Sequence, residues 1–183
     1  MMPEISLNIL DLAQNSITAG SLLTQIGIKI DNSSDTLEVM ISDNGRGMSP
    51  EQTAMISDPF YTTRTTRKVG LGVPFLKMAA ELTGGSITIV SEPGGGTATK
   101  AVFGLSHIDR MPIGDVAGTM VSLIGPNPDI DFVLSYAVDE NSFVADTREM
   151  RNILEGVPLY SPEVLAFISD FINESIDGLG ARH

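Results

Sequence analysis

Directly after the alternating run Leu37-Glu38-Val39-Met40-Ile41 stands Asp43-Asn44-Gly45-Arg46-Gly47-Met48. A strand that ends in a carboxylate followed by two spaced glycines restricts the backbone sharply. Glycine permits positive φ and lets main chain come close to a neighbour or a ligand. The carboxylate at the strand end is placed to accept a hydrogen bond. Alone, the segment reads equally well as a glycine turn with an Asp cap. Its surroundings narrow the choice. Upstream, Ile26, Ile28 and Ile30 alternate with polar residues, and Asp31-Asn32-Ser33-Ser34-Asp35 is turn chemistry. These signals predict a hairpin from Leu23 to Ile41. Downstream, strands are predicted at 86–91 and 97–105, joined by Pro93-Gly94-Gly95-Gly96.

Helices fill the gaps. Ile5, Ile9, Leu12, Ala13 and Ile17 follow helical spacing over 4–19, and Gly20 is a plausible stop. Ser49-Pro50-Glu51 opens a short helix with an N-cap serine and proline at the first position. A further helix is predicted from about Leu71 to Leu82, before Gly84-Gly85. The order is helix, two strands, short helix, loop, helix, two strands. It implies an α+β sandwich with a largely antiparallel sheet under a helix layer.

Beyond residue 106 the composition changes. Residues 1–105 carry 10 acidic and 7 basic side chains, whereas residues 106–183 carry 13 and 4. The net charge of -12 argues against an electrostatic grip on nucleic acid or on an anionic membrane. The absence of cysteine excludes disulfides and zinc-thiolate sites, and two distant histidines, His107 and His183, exclude a histidine metal cluster. No apolar run approaches the ~20 residues of a membrane helix, and the start Met1-Met2-Pro3-Glu4 lacks signal-peptide character, so a cytoplasmic location is expected. In the acidic region a helix over 112–124, a hairpin of 130–138 with 142–146, a short helix at 147–154 and a Ser161-capped helix are predicted. The last has the apolar stripe Val164, Leu165, Phe167, Ile168, Phe171, Ile172 and Ile176. Burial of that stripe is expected, with a docking surface as the alternative.

Four segments carry candidate chemistry. Asp11 and Asn15 lie at i and i+4, on one helix face, where a carboxylate and an amide can hold a hydrated cation or orient water. The Asp43–Met48 turn is the second. Asp58-Pro59-Phe60-Tyr61-Thr62-Thr63-Arg64, running on through Arg67-Lys68 to Val69-Gly70-Leu71-Gly72, is the third and the most basic stretch. It ends at a predicted helix N-terminus, where free N–H groups suit phosphate. Gly96-Thr97 is the fourth. Singly, a solvated helix face, a turn, a basic loop and a hairpin are sufficient explanations for each.

In this order the four resemble the GHKL ATPase superfamily of gyrases, heat-shock chaperones, histidine kinases and mismatch-repair ATPases, over about residues 4–105. Asn15 sits in what looks like the N box, and Leu10 to Ser21 is close to the mismatch-repair form. Asp43 to Met48 matches the G1 box, Asp58-Pro59-Phe60 with Tyr61-Thr62-Thr63 the kinase F box, Gly70-Leu71-Gly72 the G2 box, and Gly96-Thr97 the last motif. The resemblance implies a Bergerat-type sandwich, with residues 1–105 a histidine-kinase-like ATP-binding domain. Residues 106–183 carry no motif and are read as a small α+β appendage of unknown role, or as the completion of the ATPase core. The resemblance also implies ATP and Mg2+ as ligands, with Asn15 on the metal and Asp43 on the adenine amino group. Gly45, Gly47, Met48 and Thr97 would stand close by. Residues 58–70 would form a lid in which Phe60, Thr63, Arg64, Arg67 and Lys68 meet the nucleotide, and Gly70, Leu71 and Gly72 would bring backbone to the phosphates.

Asp11 occupies the position where hydrolytic members carry a water-activating Glu, and is the candidate catalytic residue. The F box and Gly70-Leu71-Gly72 look like the kinase branch. The chain starts almost at the N box, which leaves no helical hairpin for a phosphoacceptor histidine, so another chain is the expected substrate. A kinase phosphorylating a partner protein is the first reading. A slow ATPase or nucleotide-gated switch is the second, and a binding-only module the third. A homodimer is possible on any of them.

Overall fold

The computed structural model describes residues 4–56 and 72–180. Elements run in the order α1 (Ile5–Thr18), β1 (Leu23–Asp31), β2 (Thr36–Asp43), α2 (Pro50–Ile56), α3 (Gly72–Leu82), β3 (Ser86–Glu92), β4 (Gly96–Gly104), α4 (Val116–Ile124), β5 (Asp131–Val138), β6 (Asn141–Asp146), α5 (Thr147–Leu154) and α6 (Pro162–Gly178). The strands form one mixed sheet in the order β3-β4-β2-β1-β5-β6. Every neighbouring pair is antiparallel except β1 and β5, which run parallel.

The period-two pattern decides which face of the sheet is covered. Ile26, Ile28 and Ile30 on β1, and Leu37, Val39 and Ile41 on β2, all point to the helix side and are buried. Each such side chain contributes about 1.5–3 kcal/mol by leaving water. Helices α3, α1, α4 and α6 lie side by side on that face, α1 touching both α3 and α4. The opposite face carries Gln25, Lys29, Glu38, Met40 and Lys100, with Lys100 paired to Glu38 at 2.6 Å.

Several local expectations are refined by hydrogen bonding. Ser49 and Gln52 form a reciprocal capping box on α2: Gln52 N–H donates to Ser49 Oγ (3.2 Å) and Ser49 N–H to Gln52 Oε1 (2.9 Å). Ser161 stands before Pro162 as expected, but its side chain makes no capping bond. The helix predicted over 112–124 starts later, at Val116, because Gly114 has φ +84° and Asp115 caps the helix by accepting from Gly118 N–H at 2.7 Å.

Residues 106–183 are continuous with the rest of the sheet. β5 lies along β1 from Leu23↔Asp131 to Ile30↔Val138. Pro112 and Ile113 offer their carbonyls to Ile5 and Ser6 N–H, at 3.0 and 2.8 Å, satisfying donors that the first turn of α1 leaves free. One core contains Leu12, Ile28 and Phe103 together with Met120, Phe132 and Ile172. The stripe on α6 is mostly interior: Val164, Ile168 and Ile172 are buried, Phe171 is half-buried, and Phe167 stays 68% exposed.

Candidate functional site

A cavity of about 330 Å3 opens where β2 ends and β4 begins, under the C-terminal half of α1. Asp43 and Thr97 face each other across the β2–β4 pair, and both line it. Asp43 is fixed at both oxygens: Ser16 Oγ–H donates to Oδ2 at 2.7 Å, and Gly45 N–H to Oδ1 at 2.8 Å. Each oxygen keeps lone-pair capacity, so a further donor inside the cavity can still be accepted.

The turn behind Asp43 is tied to its neighbours on both sides. Asn44 Oδ1 accepts from Leu22 N–H, Leu23 N–H and Ser21 Oγ–H at 2.9, 3.0 and 3.1 Å. Arg46 N–H donates to Ala19 O at 3.0 Å, and Gly94 N–H to Arg46 O at 2.7 Å. Hydrogen bonds thus join the end of α1, the end of β2 and the β3–β4 turn. Two glycines make this closeness possible. A Cβ on Gly47 (φ +66°) would lie 1.8 Å from Glu92 O, and one on Gly96 (φ +82°) 1.9 Å from Asp43 O. Both would strike backbone, so both positions require glycine. Gly45 is buried behind Asp43, with its N–H turned to that carboxylate.

Ser91 connects the two motifs. Its hydroxyl accepts from Met48 N–H (2.9 Å), donates to Gly96 O (3.0 Å) and lies 2.8 Å from Thr97 Oγ1. A hydroxyl has one proton to give. If that proton goes to Gly96 O, the third bond is donated by Thr97, which then turns only acceptor capacity to the cavity.

Asn15 lines the cavity, with Leu12 and Thr18 from the same helix. Asp11 does not. Its Oδ2 is buried and has no hydrogen-bond partner among the described residues, and it is pressed against Gly72, where a Cβ would sit 1.9 Å away. Gly72 is the first residue of α3. Phe60, Thr63, Arg64, Arg67, Lys68, Gly70 and Leu71 lie outside the described residues. No group of three or more His, Cys, Asp or Glu able to hold a metal occurs among the described residues.

Ser16, Arg46, Ser91 and Thr99 lie outside the sequence-predicted set, although three of them line the cavity and Ser91 braces its wall. Signals for two of them existed. Thr99 is two residues from Thr97, on the same strand face, and a hairpin with the turn Pro93-Gly94-Gly95 pairs Ser91 with Thr97. Apolar side chains complete the wall, among them Leu12, Ile41, Met48, Val73 and Ile89. A flat ring with an amino group at its edge suits this chemistry: faces against aliphatic carbon, amino hydrogen towards Asp43.

Residues 4–107 match the family model described as "Histidine kinase-, DNA gyrase B-, and HSP90-like ATPase". The chain belongs to this ATPase family. Its mixed sheet beneath a helix layer is the Bergerat sandwich of the GHKL superfamily. Relatives of this ATPase chain include the "Non-motile and phage-resistance protein" of Caulobacter vibrioides, 28% identical over 111 residues, 56% of this chain and 13% of that protein. "Sensor protein DegM" of Bacillus sp. (strain B21-2) is 30% identical over 97 residues, 53% of this chain and 25% of that protein. The chain therefore spans a quarter or less of these relatives. The N-terminal domain of a DNA repair protein has a similar fold, with a TM-score of 0.50 at 14% identity, over 78% of this chain and 52% of that one. That overlap exceeds what residues 4–107 could supply, so the shared fold extends into residues 108–183. No helix among the described residues is long and apolar enough to cross a membrane.

Proposed function

We propose that this chain binds ATP with Mg2+ in the cavity and is the nucleotide-handling part of a signalling kinase, passing the γ-phosphoryl group to a partner protein. The observation that carries the nucleotide reading is Asp43, an oriented carboxylate at an aliphatic-walled cavity, with both oxygens held and both still able to accept. It would take the adenine amino group, with Thr97 and Gly47 beside it. Asn15, which lines the cavity, would hold the metal. One amide ligand fits Mg2+, which keeps several waters and completes its shell with phosphate oxygens. Bound there, the metal would supply charge neutralisation on those oxygens. Arg64, Arg67 and Lys68 would add to it, and Gly70, Leu71 and Gly72 would lead backbone N–H groups to the phosphates at the start of α3.

Transfer to a partner is favoured over hydrolysis by two observations. The family model that the chain matches includes histidine kinases and its relatives include a sensor protein, and Asp11 is turned to Gly72 rather than to the cavity. A general base must reach the attacking water. Hydrolysis with Asp11 as base is the second reading, favoured by the bare Oδ2, which lacks a donor that water would provide. Purified chain with γ-labelled ATP separates the two. Label on a co-purified protein supports transfer. Free phosphate that disappears in Asp11→Asn supports hydrolysis. Loss of ATP binding in Asp43→Ala, measured by calorimetry, is required by both, and unchanged affinity there would sink the nucleotide site itself.

A further inference from the structure

The edge of the sheet farthest from the cavity motifs is β6, and its outer rim has no strand partner among the described residues. Soluble proteins protect such edges with lysine, proline or a bulge. β6 reads Asn-Ser-Phe-Val-Ala-Asp and has neither lysine nor proline. Above it, Phe143 stacks on Tyr136 (centroids 6.0 Å) and meets Phe171 of α6 edge to face (6.2 Å). Phe167 has Glu163, Asp170, Phe171 and Glu174 on its face of α6, at i−4, i+3, i+4 and i+7. Phe167 is 68% exposed, and Glu163, Asp170 and Glu174 are exposed and form no salt bridge among the described residues.

The charge of this half is not balanced from within. The described arginines of residues 106–183 are all engaged: Arg110 with backbone carbonyls, Arg148 with Asp146, and Arg151 with Asp131. We infer that β6 and the aromatic–acidic face of α6 form a docking site for an extended, basic segment of a partner protein, added to the sheet as a seventh strand. Backbone hydrogen bonds along the rim would set its path. Side chains of an added strand alternate between faces. Those on the helix side would meet Phe167, Phe171 and the acids, where a lysine or arginine stem lies along the rings while its charge reaches a carboxylate. Those on the other side would lie beside Val144, which is 56% exposed, and would be apolar. A second copy of this chain is the poorer occupant, because it would bring the same acids against themselves. None of these residues lines the cavity, so the inference stands apart from the reading of the nucleotide site.

The probe is a fluorescent octapeptide of alternating lysine and valine, with the glutamate–valine peptide as comparison, titrated into the full chain by anisotropy. Expected are saturable binding of the first only, weakening as salt rises from 50 to 500 mM, and slower amide exchange over residues 141–146. Phe167→Ala should weaken it about tenfold, as loss of a central aromatic anchor does. Asp170→Lys with Glu174→Lys should abolish it, with ATP affinity kept in all variants. Equal binding of both peptides, binding indifferent to Phe167→Ala, or exchange protection elsewhere than 141–146 would overturn the inference. So would light scattering that shows a dimer with 141–146 already protected, since the edge would then belong to a second copy.

Discussion

Ser91→Ala tests the reasoning about the site at a residue outside every motif. The hydroxyl takes part in three bonds at once, with Met48 N–H, Gly96 O and Thr97 Oγ1, at 2.9, 3.0 and 2.8 Å. Its removal leaves Met48 N–H without an acceptor on a half-buried wall and frees the Thr97 hydroxyl to rotate. An unsatisfied donor costs about 1–3 kcal/mol when fully buried. Water reaches part of this wall, so about 1–2 kcal/mol is the expected loss. For a chain of this size each kcal/mol lowers Tm by roughly 2–4 °C, which gives about 2–8 °C. Nucleotide affinity should fall as well. Thr97 would no longer be restricted to accepting, and the Gly47-Met48 backbone would lose its fastening to β3, an effect of about five- to thirtyfold if the same 1–2 kcal/mol appears in binding. Thermal unfolding with and without Mg-ATP, together with calorimetric titration, reads both quantities. Ser91→Thr keeps the hydroxyl on a strand that tolerates β-branching, and should recover most of each. A Ser91→Ala variant that melts within about 1 °C of the parent and binds ATP equally well would refute the idea that this hydroxyl joins the two glycine motifs.

Two further outcomes follow from local geometry. Gly94 and Gly96 share one turn and both have positive φ, but a Cβ on Gly94 meets nothing within 4 Å, whereas one on Gly96 meets Asp43 O at 1.9 Å. Gly94→Ala should therefore cost only the left-handed strain, about 1–2 kcal/mol, and Gly96→Ala clearly more, with loss of ATP binding; equal melting temperatures would contradict the close packing. Asp146 is held below the usual carboxylate range, chiefly by its hydrogen bonds from the Arg148 side chain. Because the folded state binds its proton less readily, the stabilisation is present above the unfolded pKa of about 4 and is lost as pH falls through the lower folded value. The melting temperature of wild type should drop more steeply from pH 5 to pH 2.5 than that of Asp146→Asn, and parallel curves would remove Asp146 as a source of acid lability.

The first half of the fold was legible because its periodicities are clean. Ile26, Ile28 and Ile30 alternate without interruption, and the helix of residues 5–18 has an unbroken apolar face, so type and order follow from spacing. The parallel pairing of β1 with β5 was not legible. The partners are separated by about a hundred residues of sequence, and alternation says which face is buried but not which strand lies alongside. The start of α4 differs from the expected Pro112 for a related reason: Gly114 has φ +84°, and the carbonyls of Pro112 and Ile113 are engaged by Ile5 and Ser6, far away in the chain. At the site, motif residues with a contact to their own turn could be placed from sequence, as with Asp43 and Gly45. Ser16 could not, because a serine announces a hydrogen bond without naming its partner.

The acidic half matters to the site through α1. That helix presents Asn15 to the cavity and Asp11 to α3, and its Ser16 orients Asp43. Its first turn has no side-chain cap on Glu4, and the N–H groups of Ile5 and Ser6 are satisfied by Pro112 and Ile113 instead. Thr119 of α4 adds a bond to Ser6 O at 3.4 Å. On the sheet side, β5 covers the rim of β1 that would otherwise be open, and Asp139 fastens the β1–β2 turn through Asn32, with both bonds at 2.8 Å. A sheet rim and a helix end are where unpaired backbone groups cost most, and residues 106–183 satisfy both for the elements that shape the cavity. The division near residue 106 marks a change of charge, while the hydrogen bonds run across it.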